Sequence, residues 1–332
     1  MALDVELLLS TIKNTELFGP DNNYDKNKII TPGKTNTVTF IPSDSYGNLA
    51  DKLKKYSREL DVYNKFPLSY TLNKQGFRSD IDDYESLFNE EVDIILGCSF
   101  TFGIGFHTQH TWPYILKKLE NNKIPQIHLG VPGTGGDTSF RLLATYLKKF
   151  KKVRRVLHLQ PFYARFEIIQ DDTAFNFLAT SLEVSEFLKE HYSKKHRQTV
   201  LANERVHIIN HVKNVTACKG LADMHNVPYF HLGFGNSVMP KYMYEIYARD
   251  IDHGGFTGQF HIANLFLTKL QDNDTDIEFG LHGDRFLSNE YSPKIYEMEF
   301  DYNLFLDYIN SNPEVKKFYP NEYYTHYKNR TI

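Results

Sequence analysis

The stretch Gly97-Cys98-Ser99-Phe100-Thr101-Phe102-Gly103 decides how the rest of the chain reads. It follows the apolar run Val92–Leu96, which predicts a buried parallel strand, and precedes a helical pattern around His110–Leu119. A serine at that point stands at the carboxyl edge of an α/β sheet, where open sheets of this kind bind their ligands. Glycines on both sides permit a sharp turn and close approach of a substrate to the backbone. The same residues also suit an ordinary strand-to-helix turn capped by Ser or Thr. Cys98, beside the candidate nucleophile, reads as a small packing residue.

Downstream of this stretch, strand and helix patterns alternate. Thr111–Leu119 predicts a helix with Pro113 in its first turn, where proline is tolerated. Gln126–Leu129 predicts a second strand, ending at Gly130-Val131-Pro132-Gly133-Thr134-Gly135-Gly136. Asp137 or Thr138 is placed to cap the next helix, whose Phe140, Leu143, Ala144 and Leu147 share a face. Val153–Leu159 predicts a third strand, and a long helical region covers Ala174–Met224 with a break near His191–His196. Val227–Leu232 predicts a fourth strand and Phe256–Leu270 a last amphipathic helix. Such alternation predicts a doubly wound parallel sheet with right-handed crossovers.

The ends of the chain differ in character. Upstream, Glu6–Lys13 and Leu49–Tyr63 have helical spacing, Phe18–Lys34 reads as loop, and Thr35–Ile41 alternates like a strand. Downstream of Asp272–Asp276 tyrosines become dense, including Tyr291, Tyr296, Tyr302, Tyr308, Tyr319, Tyr323, Tyr324 and Tyr327. Three regions result: an N-terminal extension (1–69), an α/β domain (70–271) and an aromatic-rich C-terminal extension (272–332). The last either packs back on the domain or presents a surface to an oligomer partner or a glycan.

Composition narrows the function. The 332 residues suffice for a large core, and 38 Lys+Arg against 41 Asp+Glu leave no general electrostatic case for nucleic acid. The basic cluster Lys148–Arg155 reads as a solvated turn. Two cysteines do not indicate a disulfide framework. The N-terminus lacks the pattern of a signal peptide, and no apolar run is long enough to cross a bilayer, so cytoplasmic synthesis and no membrane partner are expected. No Walker A or dinucleotide fingerprint is present. His107 and His110 have no carboxylate or Cys partner nearby in sequence, so no metal or organic cofactor is implied. His261 reads as a packing or capping residue.

Two further segments bear on chemistry. Asp250-Ile251-Asp252-His253 has an Asp-x-x-His spacing that lets the Asp250 carboxylate hold imidazole Nδ1–H and leave Nε2 free to take a serine proton. Asp252 is a rival orienter. The glycine turn at Gly130 follows a strand, so its backbone N–H groups can serve as oxyanion donors, although the glycines also suit an ordinary turn.

Together these segments resemble the SGNH (GDSL-type) hydrolases. The first block of that family is Gly-Asp-Ser with Thr two residues on, matched by Gly97–Thr101 with Cys98 in place of Asp. Gly130 in Leu129-Gly130-Val131-Pro132-Gly133 matches the second block, and Asp250 with His253 matches the last. The run Asn73-x-x-Gly76-Phe77-Arg78 and the later Thr111-Trp112-Pro113 resemble members implicated in polysaccharide deacylation. The resemblance covers about residues 70–270. It implies a three-layer α/β/α flavodoxin-like fold and a serine esterase with catalytic Ser99, Asp250 and His253. The implied oxyanion donors are Ser99 and Gly130. The third block departs: Leu159-Gln160-Pro161-Phe162-Tyr163-Ala164-Arg165 has no Asn, so Gln160 is the candidate amide donor and Arg165 a candidate positive charge. The implied substrate is an acylated small molecule or glycan, most specifically an O-acetylated carbohydrate. Acyl transfer on the same fold, and a catalytically silent carbohydrate-binding or structural module, are the alternatives. A homo-oligomer is compatible with either.

Overall fold

The computed structural model describes residues 36–39, 69–170, 173–179, 186–233, 255–274 and 300–318. Asp250 and His253 lie outside the described residues. So do the expected elements at Glu6–Lys13, Phe18–Lys34 and Leu49–Tyr63, and Tyr291, Tyr296, Tyr319, Tyr323, Tyr324 and Tyr327.

Strand β1 (Asn36–Thr39) pairs antiparallel with β2 (Ser69–Leu72). The main sheet holds β3 (Glu91–Gly97), β4 (Gln126–Gly130), β5 (Lys152–Leu159) and β8 (Tyr229–Leu232). Its order is β4-β3-β5-β8, and every pairing is parallel. A one-turn helix α1 (Ser99–Phe102) and helix α2 (Trp112–Leu119, with Pro113 in its first turn) link β3 to β4. Helix α3 (Gly136–Tyr146) links β4 to β5. The β5–β8 connection carries the hairpin β6 (Arg165–Gln170) and β7 (Thr173–Leu178), then α4 (Glu186–His191) and α5 (Glu204–Met224). Helices α6 (Phe256–Gln271), α7 (Tyr302–Ser311) and α8 (Pro313–Phe318) follow β8.

The strands are buried on both faces, as parallel strands between helical layers must be. Val92, Ile94 and Leu96 point to one face with Ile127, Leu129 and Val156. They pack there on Leu142, Leu143 and Tyr146 of α3 and Val215, Cys218 and Ala222 of α5. Ile95, Leu157, Leu159 and Phe230 point to the other face, onto Trp112 and Leu116 of α2, Phe260 and Phe266 of α6, and Phe305 and Ile309 of α7. The expected three-layer α/β/α architecture is therefore present. In α7, Phe305, Tyr308 and Ile309 complete the α6 side of the core, so this described part of the aromatic C-terminal region packs back on the domain.

Chain direction across the sheet positions the site. From β3 the chain steps to β4 through α2 on one face, and returns to β5 through α3 on the other. The carboxyl ends of β3 and β5 therefore flank the topological switch point, where such sheets open a ligand crevice. Ser99 stands there.

Three expectations change. The long helical region does not begin at Ala174: a hairpin occupies Arg165–Leu178, and helix starts at Glu186. Phe166 and Phe177 meet Leu188 in a small core of their own, and alternation of Phe166 with Ile168 and of Phe175 with Phe177 is the period-two signal for it. Neither Asp137 nor Thr138 caps α3. Gly135 is the N-cap, while Asp137 accepts from Asn210 and Asn214 of α5 and from the Glu167 N–H, and Thr138 donates to Glu167. Their side chains hold the hairpin and α5 to α3 rather than closing a helix end. The face expected of α3 shifts as well: Leu143 and Leu147 are buried, but Phe140 and Ala144 only half so, and Leu142 and Tyr146 replace them in the core.

The basic cluster divides. Lys148, Lys149, Lys151 and Lys152 are solvated as expected, but Arg154 and Arg155 belong to β5. Both donate to Asp93, which is fully buried at the amino end of β3, and Arg155 also pairs with Glu120. Breaking a buried pair by removing one partner strands the other charge, so Asp93→Asn is expected to cost about 3–5 kcal/mol in urea unfolding. A loss below about 1 kcal/mol, the range of exposed pairs, would mean that the cluster is no more than a surface network.

Candidate active site at the carboxyl end of the sheet

The geometry around Ser99 starts with two missing methyl groups. Gly97 has φ +153°, and a Cβ there would lie 2.0 Å from Thr101 Oγ1 and 2.8 Å from the Leu159 carbonyl oxygen. A Cβ on Gly130 would lie 2.8 Å from Thr101 Cγ2 and 2.9 Å from Phe102 N. Only glycine at both places lets α1 press against the ends of β3 and β4. Thr101 is the wedge: its hydroxyl accepts from Trp112 Nε1 at 3.2 Å and lies 3.4 Å from the Leu96 carbonyl oxygen. Gly103 ends the turn in the left-handed region, its N–H donating to the Ser99 carbonyl at 2.8 Å. Ser99 itself is buried, and Cys98 packs into the apolar core as expected.

A second constraint comes from Arg78. Asn73 accepts the N–H groups of Gln75 and Phe77, which shapes the turn before Arg78. The buried Arg78 guanidinium then donates to the carbonyls of Phe102 (2.8 Å), Gly103 (2.6 Å) and Phe106. It stands 4.5 Å over the Tyr70 ring, whose hydroxyl accepts the Gly105 N–H at 2.9 Å. Desolvation lowers the Arg78 pKa to about 10, which leaves it charged at neutral pH. The run Asn73–Arg78 stood out in sequence only by resemblance, and no spacing rule could have shown that its Arg grips the loop after the nucleophile.

A third tie comes from α6. Gln259 accepts the Trp112 N–H at 2.8 Å and donates to the Phe100 carbonyl at 3.3 Å, so the first turn of α6 is bonded to the turn that carries Ser99. His253 lies three residues before Phe256 in sequence.

Gly130 closes β4 beside the Gly97 end of β3, and beyond it the Val131 N–H donates to the Gly97 carbonyl at 3.1 Å. Gln160 follows β5 at the same edge, buried, with its side-chain amide on the His231 ring of β8. Arg165 opens the hairpin and is half-buried; its Nη1 has no partner among the described residues. His261 sits within α6 beside Phe300, and desolvation lowers its pKa to about 4. His107 and His110 both pack on Phe318, and His110 is depressed to about 3, chiefly by burial. Among the described residues no group of three or more His, Cys, Asp or Glu could hold a metal ion. No described helix is long and apolar enough to cross a membrane.

No family model and no curated protein matches the sequence. Among solved structures, the chain is similar to a protein from Desulfitobacterium hafniense DCB-2 described as of a G-D-S-L lipolytic family. The likeness has 16% identity and TM-score 0.27, and covers 55% of this chain and 99% of that one. It is also similar to the psychrotrophic esterase EstA from Pseudoalteromonas sp., at 13% identity and TM-score 0.29, over 55% of this chain and 99% of the other. The three-layer fold follows from sheet order, strand direction and the helices on both faces.

Proposed function

We propose that the chain is an SGNH-type serine ester hydrolase in which Ser99, His253 and Asp250 act together. The observation that carries this reading is the placement of Ser99 at the switch point, on a turn braced by Thr101, Arg78 and Gln259. A nucleophile needs that fixity, because attack requires the reacting atoms at about 3–3.5 Å with aligned geometry. In this reading His253 Nε2 takes the Ser99 proton as Oγ attacks the acyl carbonyl, then returns it to the leaving alkoxide. Asp250 holds the opposite ring nitrogen. The Ser99 N–H and the backbone at Gly130 receive the oxyanion. Gln160 adds a third donor: one amide hydrogen is engaged by His231 and the amide carries a second.

The finer substrate reading is an O-acetyl group on a carbohydrate. It rests on the resemblance of Asn73-x-x-Gly76-Phe77-Arg78 and Thr111-Trp112-Pro113 to members implicated in polysaccharide deacylation.

p-Nitrophenyl acetate hydrolysis by the wild type and Ser99→Ala, together with fluorophosphonate labelling followed by peptide mass analysis, tests the nucleophile. Labelling at Ser99 and loss of both signals in the variant are expected; equal rates in the two proteins would sink the reading. His253 must be neutral to accept a proton, so kcat/KM should fall toward acid pH as the imidazole takes up a proton. His253→Gln should lose about 10²–10⁴-fold in kcat. A flat profile from pH 5 to 8 would remove His253 as the base.

A further inference from the structure

We infer that His231 is a positioning residue that fixes the amide plane of Gln160, and with it the direction of the donor that Gln160 offers to the oxyanion. The inference rests on the oxyanion role proposed for Gln160 and adds the residue that controls it. Gln160 is almost fully buried just past the carboxyl end of β5, and its Nε2 lies 2.5 Å from His231 Nδ1. An amide nitrogen donates and does not accept, so Nδ1 of His231 is the acceptor of this bond. The two hydrogens of a primary amide lie in its plane and point in different directions. Holding the first therefore sets where the second points.

The sheet register brings the two residues together. Strands β5 and β8 run parallel, with His158 opposite His231 and Leu159 opposite Leu232. One residue past the end of β5, the Gln160 N–H still donates to the Leu232 carbonyl at 2.9 Å. The main chain of Gln160 is thus tied to β8 immediately beyond His231. Successive side chains of a strand point to opposite faces. Leu157, Leu159, Phe230 and Leu232 take the face toward α2 and α6, while Tyr229 joins the core completed by Val215 and Cys218 of α5. His158 and His231 share the face of Tyr229 by the same alternation. His158 Nδ1 lies 2.6 Å from the Tyr229 hydroxyl, and the Tyr229 ring lies nearly parallel to that of His231, at 19° and 6.0 Å between centroids. A polar ladder from His158 through Tyr229 and His231 so reaches Gln160 at the strand ends.

Ser99 stands on the same edge. Strand β3 pairs with β5 on the side away from β8, with Leu96 opposite His158. The approach is close: a Cβ on Gly97 would lie 2.8 Å from the Leu159 carbonyl oxygen. Gln160 follows Leu159 directly, and Ser99 is two residues on from Gly97. Gln160 therefore sits on the strand between the one that carries the nucleophile turn and the one that carries His231. Glutamine has more rotamer freedom to lose than most side chains. A bond to a ring on a neighbouring strand removes that freedom before substrate arrives, and a donor already in place costs no reorganisation when charge develops.

A double-mutant cycle in steady-state hydrolysis of p-nitrophenyl acetate tests this. His231→Phe keeps a ring beside Tyr229 and removes the acceptor, whereas the Oδ1 of His231→Asn restores an acceptor near the place of Nδ1. Gln160→Ala removes the donor itself. The expected kcat falls about 10–100-fold in His231→Phe and about 10²–10³-fold in Gln160→Ala, with KM within about twofold in both. His231→Asn is expected to recover kcat to within about threefold of wild type. In the Gln160→Ala background His231→Phe should cost nothing further, because a residue that acts through the amide has nothing to hold once the amide is gone. Should His231→Phe not fold, His231→Leu takes its place in the cycle. Losses that multiply, wild-type kcat in the folded His231 variant, or a His231→Asn as slow as His231→Phe each overturn the inference. Wild-type kcat in Gln160→Ala also overturns it and leaves the triad standing. A wild type that neither hydrolyses nor takes a fluorophosphonate label, or whose activity survives Ser99→Ala, overturns the triad and the inference with it.

Discussion

There is no space for a Cβ at Gly97 or at Gly130, and the rest of the site depends on that. Thr101 fills the room both glycines leave, and so brings the turn carrying Ser99 down onto the ends of adjacent parallel strands. A larger residue at either place would lift the turn away from the sheet edge. Once the turn is seated, its polar groups become reachable from α2, α6 and the segment before β3. Trp112, Gln259 and Arg78 all bond to it.

Polar groups are buried at opposite ends of the sheet for different ends. At the amino end, Asp93, Arg154, Arg155 and Glu120 neutralise one another, and the group joins β3, β5 and α2. At the carboxyl end Arg78, Trp112 and Gln259 aim polar atoms at one backbone turn. Arg78 contributes a full charge there, with its donors spread over the carbonyls of Phe102, Gly103 and Phe106. Charge-assisted bonds to backbone carbonyls hold a loop more firmly than neutral ones. A loop held in this way keeps a nucleophile in one place without needing regular secondary structure.

The local signals in the chain were faithful where burial and covalent pattern agree. Val92–Leu96, Gln126–Leu129, Val153–Leu159 and Val227–Leu232 each carry apolar residues because their strands lie between two helical layers, and all appear in the sheet within a residue or two. Thr111-Trp112-Pro113 starts a helix because proline costs nothing in a first turn. The hairpin Arg165–Leu178 escaped because its flanks carry helical composition and its pairing is satisfied across a short turn, not by a long run. Asp137 and Thr138 looked like caps because a local rule sees only the nearest N–H. Asn210, Asn214 and Glu167, far away in sequence, compete for the same oxygens.

Sequence alone determined the class of fold and the position of Ser99 at a strand end, since both follow from hydrophobic period and from glycine, which are properties of neighbouring residues. It also put Gly130 and Gln160 after the next strands in the sheet. The tertiary structure decided what surrounds them. That Gln160 turns its amide to His231, that Arg78 grips the loop after Ser99, and that Gln259 bonds to both α2 and the nucleophile turn are facts about residues brought together from distant parts of the chain. Hydrogen bonds of this kind leave no period and no spacing in the sequence, because their geometry exists only after the layers have packed.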